Sequence, residues 1–89
     1  MTGVDYNSMS EAVQLEAVKQ DGFRIRDIEN PSEAVQIQAV RKTGWAIMWI
    51  NNPSESVQIA AVRRTPWALI CIENPSKVVK LVAEASRND

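Results

Sequence analysis

The sequence predicts an all-α fold, a short α-solenoid in which helix pairs stack in a right-handed array, and three observations carry that expectation. The first is an internal repeat. Asn30-Pro31-Ser32-Glu33-Ala34-Val35-Gln36-Ile37 returns as Asn52-Pro53-Ser54-Glu55-Ser56-Val57-Gln58-Ile59, a period of about 22 residues. The second is helix punctuation at the same two places in each copy. The third is a set of apolar columns with helical spacing that runs through all copies.

The match between the two central copies continues through Ala39-Val40-Arg41-Lys42-Thr43-Gly44-Trp45-Ala46-Ile47 and Ala61-Val62-Arg63-Arg64-Thr65-Pro66-Trp67-Ala68-Leu69. A diverged first copy keeps Glu11-Ala12-Val13-Gln14-Leu15 and Gly22-Phe23 in register, and a last copy keeps Pro75, Ser76, Val79 and Leu81 but stops before its second half. The chain therefore divides into a lead-in, 1–7, expected to fray, and one domain, 8–89. That domain holds three full repeats (8–29, 30–51, 52–73) and a terminal half repeat (74–89).

Within each repeat, the residues predict a longer A helix and a shorter B helix. Asn30 and Asn52 suit an N-cap, Pro31 and Pro53 suit the first helical position, and Glu33 and Glu55 can reach back to the cap amide; in the first copy Ser8 and Glu11 take these roles. A helices are expected near 9–20, 31–42, 53–64 and 75–86. Asp21-Gly22, Thr43-Gly44 and Thr65-Pro66 mark a second start, with B helices near 22–28, 44–50 and 66–72. Each helix is too short to be stable alone in water, so the pairs must stack. The last copy, with Lys77, Lys80 and a polar tail, reads as a cap for the stack.

Stacked copies separate core from surface. Val13, Val35, Val57 and Val79 form one apolar column, Leu15, Ile37, Ile59 and Leu81 another, and Val18, Val40 and Val62 a third, with small residues at Ala17, Ala39, Ala61 and Ala83. Phe23, Trp45 and Trp67 repeat on the B helices, as do Ile25, Ile47 and Leu69, and Ile28, Ile50 and Ile72. All are expected in the core. Gln14, Gln36 and Gln58 fall inside the apolar stripe, where an amide needs partners. The expectation is that they bond backbone groups at the adjacent turns; the alternative is that helix tilt exposes them.

The composition excludes several function classes. The chain has 89 residues, ten basic against eleven acidic side chains, a net charge of −1, no histidine and one cysteine, Cys71. Near-neutrality argues against a dedicated nucleic-acid binder, and the absence of histidine with only a single cysteine removes disulfide scaffolds, the usual zinc sites and His-based triads. No metal or cofactor is expected. The longest apolar runs, Trp67 to Ile72 and the equally long Trp45 to Ile50, are too short for a membrane span, which predicts a cytoplasmic protein without membrane contact. The carboxylates nearest to a catalytic pair, Glu33 and Glu55, lie a repeat apart at helix starts, and Cys71 has no base to activate it, so the chain is not expected to be an enzyme.

Two surface patterns point to binding instead. On the first B helix, Arg24, Arg26 and Asp27 occupy positions expected to face outward; their counterparts are Ala46, Met48 and Trp49, then Ala68, Ile70 and Cys71. Trp49, Met48, Ile70 and Cys71, rimmed by Arg24, Arg26 and Asp27, thus form a candidate protein-binding patch, for a partner or a second copy of the chain. The competing expectation is that curvature, or a folded-back segment carrying Val4 and Tyr6, covers it. The second pattern is a basic ridge of Lys19, Arg41, Lys42, Arg63 and Arg64 in the last turns of the A helices. The helix dipole explains it on structural grounds; contact with phosphates is the functional alternative.

Ala17-Val18-Lys19-Gln20-Asp21-Gly22 and Ala39-Val40-Arg41-Lys42-Thr43-Gly44-Trp45-Ala46 resemble the Ala-Val-Lys-x-x-Gly-x-Ala core of a short tandem helical-repeat family of uncharacterised bacterial and phage proteins. The resemblance spans nearly the whole chain, with Pro66 in place of one glycine and a more compact period. It implies no catalytic residues. Combined with small size, it suggests a phage-type inhibitor that occludes a surface of a host defence complex, acting in the host cytoplasm.

Overall fold

Residues 5–87 are described by the structure, a computed structural model, and among them every regular element is a helix. Four α-helices, α1 (Glu11–Gln20), α2 (Glu33–Lys42), α3 (Glu55–Arg64) and α4 (Lys77–Arg87), alternate with short 3₁₀-helices, η1 (Tyr6–Ser8), η2 (Gly22–Asp27), η3 (Gly44–Trp49) and η4 (Pro66–Cys71). Neighbouring α-helices pack side by side in one layer and η2, η3 and η4 in a second, so the repeats stack in chain order as the sequence predicts. The stack is elongated, 43 × 23 × 21 Å.

The long helices start two residues later than the Asn-Pro pairs suggest. Asn30, Asn52 and Asn74 lie at φ 51°, 49° and 50°, the left-handed region that asparagine tolerates better than most residues. The proline that follows biases the preceding residue away from the right-handed helical region. These asparagines are therefore turn residues. The N-caps are Ser10, Ser32 and Ser54, whose Oγ atoms accept the amide N–H of Val13 (3.4 Å), Val35 (3.2 Å) and Val57 (3.3 Å), and Ser76 accepts that of Val79 at 3.2 Å.

The acidic residue at each helix start does not fold back on its own cap. Instead Ser32 donates its hydroxyl to Glu11 of the preceding repeat, Ser54 donates to Glu33, and Ser76 donates to Glu55 at 2.7 Å. A carboxylate acceptor strengthens such a bond. The expected capping box is thus replaced by a ladder between repeats.

The B segments are 3₁₀ rather than α, with i→i+3 bonds such as Ala46 N–H to Thr43 O (2.9 Å) and Ile50 N–H to Ile47 O (3.0 Å). Geometry supplies the reason. A ten-residue α-helix advances about 15 Å, and six residues must bring the chain back; at roughly 2 Å per residue a 3₁₀-helix covers about 12 Å, whereas an α-helix would cover about 9 Å.

Packing between repeats is close. Val35, Val57, Val79, Val18, Val40 and Val62 are fully buried, together with Ala39 and Ala61. A Cβ on Gly44 would lie 2.5 Å from the Thr65 side chain and 2.7 Å from the Ala61 carbonyl oxygen, so the next helix fits only against glycine; Gly22 meets the Ala39 carbonyl in the same way. Three residues expected in the core are exposed, Val13, Leu81 and Trp67. Val13 belongs to a column that its preceding repeat buries elsewhere, and Leu81 to one that is covered by a following repeat, so each is bare at an end of the described stack.

The described part of the lead-in is docked and not frayed. Tyr6 is buried, its carbonyl accepts from Gln14 Nε2 (2.7 Å), and Asn7 Oδ1 accepts the Glu29 amide N–H (2.7 Å). Val4 lies outside the described residues. No described helix is long and apolar enough to cross a membrane.

Two substitutions check this account. Asn52→Ser should lower stability by about 1 kcal/mol, because serine lacks asparagine's tolerance of the left-handed region, while Asn52→Gly should be near neutral. Urea midpoints decide it: an unchanged midpoint for the serine variant would return the cap to Asn52, since serine is as good a cap. Gly44→Ala should cost roughly 1–3 kcal/mol by overpacking against the Ala61 carbonyl, read from the same denaturation curves.

Candidate functional site

A 3₁₀-helix repeats every three residues, so positions i and i+3 share a face. On η3 this aligns Ile47 with Ile50 inward, Ala46 with Trp49, and Trp45 with Met48; η4 aligns Leu69 with Ile72, Ala68 with Cys71, and Trp67 with Ile70. Ile47, Ile50 and Ile72 are buried and Leu69 is half-buried, whereas Met48 is 57% exposed, Ile70 80% and Trp67 60%. Trp49 is 48% exposed and Cys71 half-buried.

The expected patch of Met48, Trp49, Ile70 and Cys71 is therefore brought together on adjacent short helices, and it gains Trp67, which the sequence reading assigned to the core. Its place in the array could have found it: Trp67 lies on the last described short helix, which no later one covers. Trp45, in the same column, is half-buried because η4 follows it.

The charged rim is only partly as expected. Arg26 and Asp27 are exposed, but Arg24 is half-buried, its guanidinium donating to the Tyr6 hydroxyl at 2.6 Å while its Nε has no hydrogen-bond partner. Ala46 and Ala68, its counterparts, are fully buried. These positions are covered, while Trp49, one turn on from Ala46, is open. In the first repeat the lead-in residue Tyr6 occupies the flank, and an arginine reaching its hydroxyl takes the place of alanine. Tyr6 thus covers Arg24, and Met48, Trp49 and Ile70 stay open.

Below Trp49 and Cys71, two grooves mark successive seams between repeats. One, about 600 Å³, is lined by Arg26, Glu29, Gln36, Trp49 and the Asn30-Pro31 turn; the other, about 830 Å³, by Asn51, Gln58, Cys71, Glu73 and the Asn52-Pro53 turn. Gln36 Nε2 donates to the Pro31 carbonyl and Gln58 Nε2 to the Pro53 carbonyl, both at 2.9 Å. The glutamine column is half-buried, with Gln36 and Gln58 bonded to the turns and Gln14 to the Tyr6 carbonyl, as the apolar stripe around it requires.

Lys19, Arg41, Lys42, Arg63 and Arg64 are all exposed at the C-termini of α1, α2 and α3, and Arg64 Nε donates to the Lys42 carbonyl at 3.3 Å. They lie at the helix ends, whereas Met48, Trp49 and Ile70 lie on the short-helix layer. No group of three His, Cys, Asp or Glu side chains among the described residues is placed to hold a metal ion.

Compared with known protein families, with functionally characterised proteins and with solved structures, the chain matches none of them.

The exposure pattern predicts a spectroscopic result. In chains retaining a single tryptophan, acrylamide should quench Trp49 and Trp67 strongly and Trp45 weakly; equal quenching at all three would contradict the placement of the short-helix faces.

Proposed function

We propose that this chain is a non-catalytic protein-binding module that presents the short-helix layer to a partner. One observation carries the reading: Met48, Trp49 and Ile70, three large apolar side chains on adjacent helices, are each about half exposed or more. Stacking does not need them there, since the equivalent positions of η2 are Arg26 and Asp27, and contiguous exposed apolar surface marks interaction sites. Tryptophan beside arginine is a composition common in binding hot spots. The non-catalytic reading is supported by the absence of histidine and by the engagement of Glu33 and Glu55 with serine hydroxyls.

In its sharper form, resting on the resemblance to phage and bacterial repeats, the module inhibits a host defence complex by occupying one of its surfaces, and works in the cytoplasm. A second copy of the chain is the alternative partner.

Trp49→Asp combined with Ile70→Lys tests the reading. Both changes are at exposed positions, where stability typically shifts by only about 0.5 kcal/mol, so helicity and melting cooperativity should persist. Self-association measured by light scattering, or capture of the host partner, should fall sharply. A folded double variant with unchanged mass and undiminished capture would refute the interface; an unfolded one would place these residues in the core.

A further inference from the structure

We propose that the edge formed by the C-termini of the long helices binds single-stranded nucleic acid, at a surface that adjoins the Met48, Trp49 and Ile70 patch at Trp67. The net charge of −1 conceals a segregation of charge. Ladder bonds from Ser32, Ser54 and Ser76 to the preceding glutamates hold the helix N-termini side by side, and the Arg64–Lys42 contact does the same at the other end. The long helices are therefore parallel. Their last turns bring Lys19, Arg41, Lys42, Arg63, Arg64 and Arg87 to one edge, all exposed; among the described residues Asp21 is the carboxylate at the helix ends, with Glu16 and Glu84 about a turn further in. The opposite edge collects Glu11, Glu29, Glu33, Glu55 and Glu73, with Lys77 at the start of α4 as a cation among them, and this excess of carboxylates repels a polyanion.

Packed helices lie about 8–10 Å apart, so the cations form successive rows along the stack and not a single point charge. Beside them opens a groove of about 480 Å³ with Arg41, Arg63 and Arg64 at its sides and Ile59 and Ala60 among its apolar lining. Trp67, at the start of η4, lies at the same edge, with Arg87 Cζ 4.9 Å from its ring centroid and 60% of the residue still exposed. Cations tracking a backbone beside an aromatic platform are what an unpaired strand needs, because its bases offer free π-faces that a duplex keeps stacked. A second copy is a weaker fit: three of the five glutamates on the acidic edge, Glu11, Glu33 and Glu55, already accept serine hydroxyls, which leaves Glu29 and Glu73 to meet the basic edge.

The test is fluorescence anisotropy of a labelled oligothymidylate titrated with the full chain over a range of potassium chloride concentrations. Binding should weaken log-linearly with salt as counterions are displaced. Arg63→Glu with Arg64→Glu should reduce affinity by more than about tenfold at low salt and flatten the salt slope, and Trp67→Ala should lower affinity while leaving the slope unchanged. Circular dichroism checks that these surface variants remain helical. No binding at low salt, or binding indifferent to the charge reversal, would overturn the proposal. So would equal affinity for duplex DNA or heparin together with indifference to Trp67→Ala, which reads as general polyanion attraction. Salt-reversible dimerisation without oligonucleotide binding would overturn it in favour of a second copy.

Discussion

Each internal long helix begins at a serine whose hydroxyl belongs to two repeats at once. Its oxygen accepts the third amide of its own helix, and its hydrogen goes to the carboxylate at the start of the helix before. The first bond sets where the helix starts; the second sets where that start lies relative to its neighbour. A ten-residue helix is too short to persist alone, so the two functions cannot be separated: the helix exists because it is stacked, and it stacks in one register because the serine is held. The close approach at Gly22 and Gly44 follows from that register, as does the alignment of the helix ends into an acidic and a basic edge.

The fold class was legible because the signal was repeated. Punctuation that would be ambiguous once, Asn-Pro-Ser-Glu, becomes decisive when it returns in register with the same apolar columns. Local details were less legible, for physical reasons. Asn52 has the chemistry of a cap and the tolerance of a left-handed turn, and only the backbone distinguishes them. Trp67 is expected in the core because it repeats with Phe23 and Trp45; it is exposed because, among the described residues, no short helix follows η4 to cover it as η4 covers Trp45. Val13 and Leu81 show a further limit, since a column's burial depends on a neighbour that the end repeats lack. At the candidate site, Met48, Trp49 and Ile70 were readable from the change of character between repeats. Arg24 was not, because its partner, the Tyr6 hydroxyl, comes from outside the repeat pattern.

The two layers divide the work. The long helices supply the ladder and the glycine contacts, and their outward ends carry charge. The short helices carry few structural obligations beyond their inward isoleucines, which leaves the Met48 and Trp49 positions free to differ between copies, as Arg26 and Asp27 show. Variation on a layer that the stack does not depend on is how a repeat scaffold acquires a binding surface without losing its fold.

Because each junction is built from the same donor and acceptor, the repeats are interchangeable in a genetic sense. An in-frame duplication or loss of one unit by recombination between the near-identical Asn-Pro-Ser-Glu segments would again bring a serine to a glutamate and a glycine to an alanine carbonyl. Chain length is then something a lineage can change in single events, with the exposed face lengthened or shortened by one short helix each time.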